Sequence, residues 1–369
     1  MADIKKNKIG RNDPCSCGSK VKYKKCCLIK RPQFARVIES YPIDNLPPHI
    51  QKAYDQHQAK ELTRIQQQGK GRPILHAKLN GQNLMISGNK MYASKTWQSV
   101  PDFLGDFIKE KIGAAWGTAE MQKPFDERHP ILQWYERMRQ AQVKHGMTGG
   151  KLVEMPITGA MKCYLGLAYN LYLLEHNNQE LQEIYINRLK TISDFQGVYY
   201  ELIVAGCLIK AGFKLELEDE TDVSRKHCEF AAVSGDTGKR YSVEAKMRSE
   251  FGILGKTEQG GSKRSDPTAL ISTHLKKAFA KPADGTRLIF VDINTELYKG
   301  EGKPDWVERA GKKLDMKEKD LKPGQSAYVF ITNLAFHRSL DDDASGHAFL
   351  AHGLGIGDFA KVNSNTTYF

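Results

Sequence analysis

The chain of 369 residues is long enough for two domains and a sizeable buried core, and 40% hydrophobic with 27% charged residues is an ordinary globular composition. No apolar run approaches membrane-spanning length and the stretch Met-Ala-Asp-Ile-Lys-Lys lacks the apolar region of a signal peptide, so a cytoplasmic protein is expected. The net charge of +12 is concentrated, because residues 1–31 hold eight Lys and two Arg against Asp3 and Asp13. Such a basic arm suits phosphate backbones, acidic protein surfaces or anionic lipid alike.

Four of the seven cysteines, Cys15, Cys17, Cys26 and Cys27, fall within thirteen positions of the string Gly-Arg-Asn-Asp-Pro-Cys-Ser-Cys-Gly-Ser-Lys-Val-Lys-Tyr-Lys-Lys-Cys-Cys. Thiolates at this spacing can close a tetrahedral Zn²⁺ site, and a segment too short for a core takes its folding energy from the metal. A disulfide-linked or free-thiol arm is the alternative. The string resembles the SEC-C motif, a zinc-binding segment that recurs on many bacterial proteins and ends in Cys-His or, as here, Cys-Cys. The resemblance implies structural Zn²⁺ on Cys15, Cys17, Cys26 and Cys27. It also implies a docking role towards nucleic acid or a protein partner, in which Lys20, Lys22, Lys24 and Lys25 are candidate phosphate contacts.

Residues 32–72 are polar, with Pro47-Pro48 opening a Gln- and Lys-rich stretch, and read as a helical linker. Ile74 to Leu79 and Leu84 to Ile86 flank Asn80-Gly81 and predict a tight hairpin, followed by a strand from Lys90 to Ala93. Four apolar stripes then predict helices: Phe103, Leu104, Phe107, Ile108 and Ile112; Ile131, Leu132, Tyr135 and Met138; Met161, Leu165, Ala168, Leu171, Tyr172 and Leu174; and Leu181, Ile184, Tyr185 and Leu189. Trp116 and Trp134 could stack on nucleobases, but aromatics at helical spacing are read as core. Residues 73–194 are therefore expected to form a hairpin plus helical middle domain.

From about residue 195 to 369 the pattern alternates. Tyr199 to Ala211 predicts an apolar helix whose one carboxylate is Glu201. Phe213 to Leu217, His227 to Val233 and Tyr241 to Met247 predict strands, the last two joined by Ser-Gly-Asp-Thr-Gly. The following loop carries Lys256, Lys263 and Arg264, read as phosphate contacts. Next come a helix capped by Ser265 or Asp266 with Pro267 in its first turn, a strand from Arg287 to Ile293, a helix from Asp305 to Leu321, and a strand from Ala327 to Asn333. Gly353 to Phe359 reads as loop. His337, Asp341 to Asp343, His347, His352 and Asp358 lack ligand spacing and read as a solvated tail. Cys207 and Cys228 read as core.

Period two puts Glu244 and Lys246 on one face of their strand, with Val243, Ala245 and Met247 on the other. Alone, the pair could be a surface ion pair that contributes little. Glu229, however, stands fifteen residues before Glu244, the separation a hairpin needs to bring both carboxylates to one edge. Helix, three strands, helix, strand, with Glu-Ala-Lys in the third strand, resembles the PD-(D/E)XK nuclease core over about residues 195–335. The expected fold is therefore α/β (α+β), an αβββαβ restriction-endonuclease-like core behind a mainly helical domain. The resemblance implies a nuclease using Mg²⁺ or Mn²⁺ on Glu229, Glu244 and the Ala245 carbonyl. Lys246 would assist the attacking water and Glu201 would hold a water or a second ion. DNA is the commoner substrate of the fold, and defence or restriction a role it implies. The family usually has Asp, often after Pro, where Glu229 follows Cys228. The alternative is an adaptor whose SEC-C motif binds a partner and whose nuclease-like fold is inert.

Overall fold

The protein is described from a computed structural model over residues 9–27, 46–147, 154–178, 183–217, 228–256, 265–342 and 347–356. His227, Leu181, Lys263, Arg264, Asp343 and Asp358 lie outside these residues. The chain divides into two compact units, residues 1–62 and 63–369.

In the first unit, an antiparallel bridge between Pro14 and Lys22 and a 3₁₀ turn at Tyr23–Lys25 fold the cysteine string back on itself. Cys15 N–H donates to Val21 O at 2.9 Å and Tyr23 N–H to Asp13 O at 2.8 Å. The helix α1 (Pro48–Gln68), expected in the polar linker, buries no residue.

The second unit starts within α1, at residue 63, and continues with a meander of β1 (His76–Leu79), β2 (Gln82–Ser87) and β3 (Lys90–Ser94), paired antiparallel in that order. Asn80 and Gly81 both take positive φ, 49° and 75°, as the predicted tight turn requires. Helices follow: α2 (Val100–Ile112), α3 (Ala114–Met121), α4 (Pro130–Lys144), α5 (Gly159–Asn178), α6 (Glu183–Lys190) and α7 (Ile192–Lys210). Of these, α3 was not anticipated, because it follows α2 directly after Gly113 and buries no residue. The Asp102 carboxylate caps α2, accepting at 2.9 Å from Gln98 N–H, Ser99 N–H and the Ser99 hydroxyl. Asp102→Ala is expected to cost about 1–2 kcal/mol in urea unfolding, the range for losing such a cap.

The main sheet orders β4 (Phe213–Leu217), β5 (Phe230–Ser234), β6 (Arg240–Met247), β7 (Arg287–Asp292), β8 (Ala327–Asn333) and β9 (Ala348–Leu354) side by side. Neighbours β4 to β6 are antiparallel, β6 to β8 parallel, and β9 antiparallel to β8. The parallel steps cross over through α8 (Ile271–Ala280) and α9 (Asp305–Lys319). Two corrections arise here. Residues 348–354 form a strand where a loop and a solvated tail were expected; His352 is 3% exposed within it, and His337, 9% exposed, is buried beside β7. The helix expected at Pro267 starts at Ile271, since Asp266 instead caps a turn by accepting from Thr268 N–H at 3.0 Å.

One apolar cluster runs from Met85 through Trp134, Tyr164 and Tyr172 to Phe195, Val243 and Leu288, so those aromatics are core. It crosses position 195, which lies inside α7. A second cluster holds α8 and α9 against Ile289, Val291, Val329 and Ile331, so the sheet is covered on both faces. Contrary to the sequence reading, α7 is long and apolar enough to match a membrane span. Yet 67% of that window is buried within the fold, which makes it a core helix.

Candidate active site

Pairing between β5 and β6 runs from Val233↔Arg240 to Phe230↔Val243. Beyond it, Glu229 N–H also donates to Val243 O, at 3.0 Å, so Glu229 and Phe230 both oppose Val243. This is a β-bulge, a device that ends pairing, and the two strands part there. Backbone bonds of the even residues of β6 go to β7, as Ser242 N–H to Thr286 O and Arg248 N–H to Asp292 O show. The odd residues therefore face β5, and the Ala245 carbonyl points to the edge that β5 has left.

Register sets Glu244 beside Ile289 and Lys246 beside Val291, on the face covered by α8 and α9. Glu244 is 1% exposed, which excludes a surface ion pair. The Lys246 ammonium contacts Glu229 Oε1 and lies 2.8 Å from Glu244 Oε1. Sequence reasoning missed Lys281, the residue that ends α8. Its ammonium is 2.8 Å from Glu244 Oε1 and 3.3 Å from Glu229 Oε1. Only the α8 C-terminus and the turn Lys281-Pro282 could have signalled it, and neither carries a spacing to Glu244. His274, on the same helix, has both ring nitrogens without a partner; burial, with the charge of Lys246, pushes it down to about 4.

Glu201 of α7 does not join the carboxylate pair directly. It is held by Arg188, whose two terminal nitrogens donate at 2.9 and 3.1 Å. Burial and the charge of Glu229 push Glu201 up to about 7 against the pull of Arg188. For Glu229, burial raises and the two ammoniums lower, and the ammoniums win. For Lys246 burial opposes the charge, but the two carboxylates prevail and hold it protonated. A cleft of about 410 Å³ is lined by Arg188, Gln196, Glu201, Ala245, Lys246 and Lys256. Lys256 donates to Ser193 O at 2.6 Å, and its side chain lines this cleft. Cys228 is half-buried beside Pro282 O rather than in the core, since it precedes the bulge.

Two carboxylates and a strand-edge carbonyl are the donors here that could hold a hard divalent cation, at a point where the Lys246 and Lys281 ammoniums now stand. Glu244 Oε1 is fully buried and receives no aligned hydrogen bond although both ammoniums are close, and a second carboxylate and a carbonyl on a free strand edge stand nearby. The fit to zinc in the first unit is closer. The four Sγ atoms of Cys15, Cys17, Cys26 and Cys27 all lie within 4.8 Å of one another, with 3.4 Å for Cys17–Cys26 and 4.0 Å for Cys26–Cys27. Zn–S bonds of about 2.3 Å in a tetrahedron put sulfurs about 3.8 Å apart. The Ser19 hydroxyl, 3.3 Å from Cys17 Sγ, brings that thiol down to about 6. Lys20, Lys22 and Lys25 around it are exposed.

Residues 11–28 match the SEC-C motif. Over 20 residues, 5% of this chain and 12% of its own length, the UPF0225 protein GSU1048 of Geobacter sulfurreducens is 85% identical. This chain thus spans a small part of that relative, and the likeness speaks for one motif. No solved structure matches.

Proposed function

We propose that the second unit carries a metal-dependent phosphodiesterase centre of the PD-(D/E)XK type, brought to nucleic acid, with DNA as substrate, by the SEC-C motif and its lysines. The observation that carries this reading is the meeting of Glu229, Glu244 and Lys246 where β5 and β6 part, beside the open Ala245 carbonyl. The element order α7, β4, β5, β6, α8, β7 supports it. Mg²⁺ or Mn²⁺ on Glu229, Glu244 and the Ala245 carbonyl would supply charge neutralisation and a more acidic water.

Lys246, kept protonated by its two carboxylates, acts as a donor and a charge towards the scissile phosphate, and does not take the proton of the nucleophile. Arg188, fixed by Glu201, and Lys256 face the same cleft and can hold flanking phosphates. Restriction or defence is the role that this chemistry suits. The test is cleavage of supercoiled plasmid by the full chain with Mg²⁺ or Mn²⁺, lost in Lys246→Ala. Cleavage by Lys246→Ala at the parent rate would remove this lysine from the site.

One observation favours a second reading, an adaptor with an inert nuclease-like fold: Lys281 and Lys246 together neutralise both carboxylates without a metal. Lys281→Met separates the two. If the centre binds a cation, removing the competing ammonium is expected to lower the Mg²⁺ concentration for half-maximal cleavage about tenfold. If neither the parent nor Lys281→Met cuts with either metal, the adaptor reading stands.

A further inference from the structure

Without any ion the Glu229–Glu244 centre is already neutral. Two carboxylates stand against two ammoniums: Lys246 contacts Glu229 Oε1 and lies 2.8 Å from Glu244 Oε1, and Lys281 lies 2.8 Å from the same Glu244 oxygen, 2.9 Å from its Oε2 and 3.3 Å from Glu229 Oε1. The neighbouring Glu201 and Arg188 form an ion pair of their own. Glu244 is 1% exposed, so water screens little of any charge added beside it. A divalent cation placed here alone would leave two positive charges in excess where solvation is poor, which is unfavourable. The centre therefore accepts a cation readily only when an ammonium leaves or an anion arrives. A nucleic-acid strand brings the anion, and its phosphates are also partners that can draw an ammonium away.

Of the two ammoniums, Lys281 is the one placed to leave. Lys246 belongs to β6 and is paired in register with Val291, so its stem rises from inside the sheet. Lys281 ends α8 in extended backbone, at φ −78° and ψ 147°, and is followed by exposed Pro282. Its main chain is held from both sides, since its N–H donates to Ala278 O at 3.3 Å and its carbonyl accepts from Arg287 at 2.9 Å. The side chain, 22% exposed, can swing about this fixed root while the helix stays in place. Lys276 and Lys277 are exposed near the same end of α8, so the surface there attracts the same phosphates. The exposed carboxylate of Asp284 faces Arg240 instead, at 3.8 Å.

We propose that Lys281 is a substrate contact parked on the metal-binding carboxylates: a phosphate of the nucleic acid takes its ammonium, and Glu229 and Glu244 then become available to a cation. Nucleic acid and cation consequently bind cooperatively, each raising the affinity for the other by the same factor. This role for Lys281 rests on the metal-dependent reading of the centre. It confines the effect of Lys281→Met on the Mg²⁺ requirement to subsaturating plasmid, because saturating DNA has already removed the ammonium from the carboxylates.

Binding of Mn²⁺ to the zinc-loaded full chain, followed by loss of the paramagnetic signal of the free ion, tests this with and without a phosphorothioate-linked DNA duplex that resists cleavage. Glu244→Gln with the same duplex gives the ions held by DNA alone. The duplex is expected to tighten Mn²⁺ binding by the parent about tenfold or more. Lys281→Met is expected to bind Mn²⁺ about tenfold more tightly than the parent without duplex and to gain less than about threefold from it, whereas Lys281→Arg keeps the charge and the parent's coupling. With Mn²⁺ present, the fall of log affinity for the duplex against log salt is expected to be shallower by about 0.9 in Lys281→Met, one phosphate contact fewer. A parental Mn²⁺ affinity that the duplex leaves unchanged, or equal tightening in the parent and Lys281→Met, overturns the role of Lys281 and leaves the nuclease reading standing. Mn²⁺ binding by neither chain above the Glu244→Gln background, with or without duplex, overturns the nuclease reading itself.

Discussion

Glu244→Gln is expected to lower metal-dependent cleavage about 10³-fold or more, equivalent to about 4 kcal/mol of transition-state stabilisation. The carboxylate is buried, and both of its oxygens face ammoniums or the open strand edge. An amide of the same shape keeps the packing but removes the negative charge that would bind a cation. The same change leaves Lys246 and Lys281 sharing Glu229. Side chains of both lysines remain about a quarter exposed, at 26% and 22%, so water compensates part of the loss. A thermal melt distinguishes a folded, inactive variant from an unfolded one. Cleavage by folded Glu244→Gln at the parental rate would show that this carboxylate has no part in the chemistry.

The legible half of this site was the half written in one strand. Period two alone separates Glu244 and Lys246 from Val243, Ala245 and Met247, and hairpin arithmetic brings Glu229 to the same edge. What could not be read depends on where helices end and strands arrive. Lys281 reaches Glu244 across 37 residues because α8 stops at Ala280, and the position of its start was itself shifted from Pro267 to Ile271. The strand β9 hid in Ala-Phe-Leu-Ala-His-Gly-Leu, where Ala and Gly lower the local preference and only pairing with β8 settles the conformation. Without β9, His352 looked like part of a tail; with it, the histidine faces Glu318 at 3.4 Å. Arg188 was likewise invisible, because its link to Glu201 joins two helices whose packing no periodicity encodes. The aromatic helices were simpler. Tyr172, on the third stripe, is 1% exposed as its spacing required, whereas on the second stripe Tyr135 is half-buried and its neighbour Trp134 is the ring that enters the core.

The zinc motif is expected to fold only with its metal, so a chelator or Cys17→Ser should unfold residues 10–27. Ordering one residue costs about 1–2 kcal/mol of backbone entropy, while each net hydrogen bond returns about 0.5–1.5 kcal/mol. Of the four cysteines only Cys15 is buried, and Ile9 and Val21 are exposed, so this segment has no apolar core to make up the difference. A structural Zn²⁺ supplies about 10–16 kcal/mol in segments of this size, enough to reverse the balance. The spacing of the sulfurs is what such a site needs. Metal analysis should find one zinc per chain, and trypsin should cut at Lys20, Lys22, Lys24 and Lys25 far faster after chelation. The second unit, with its own cores, should keep its melting transition. A chain that carries no zinc and shows the same tryptic pattern with and without chelator would remove the metal from this motif. If zinc loss also abolishes DNA retention while cleavage of short oligonucleotides persists, the motif delivers the substrate and the second unit performs the chemistry.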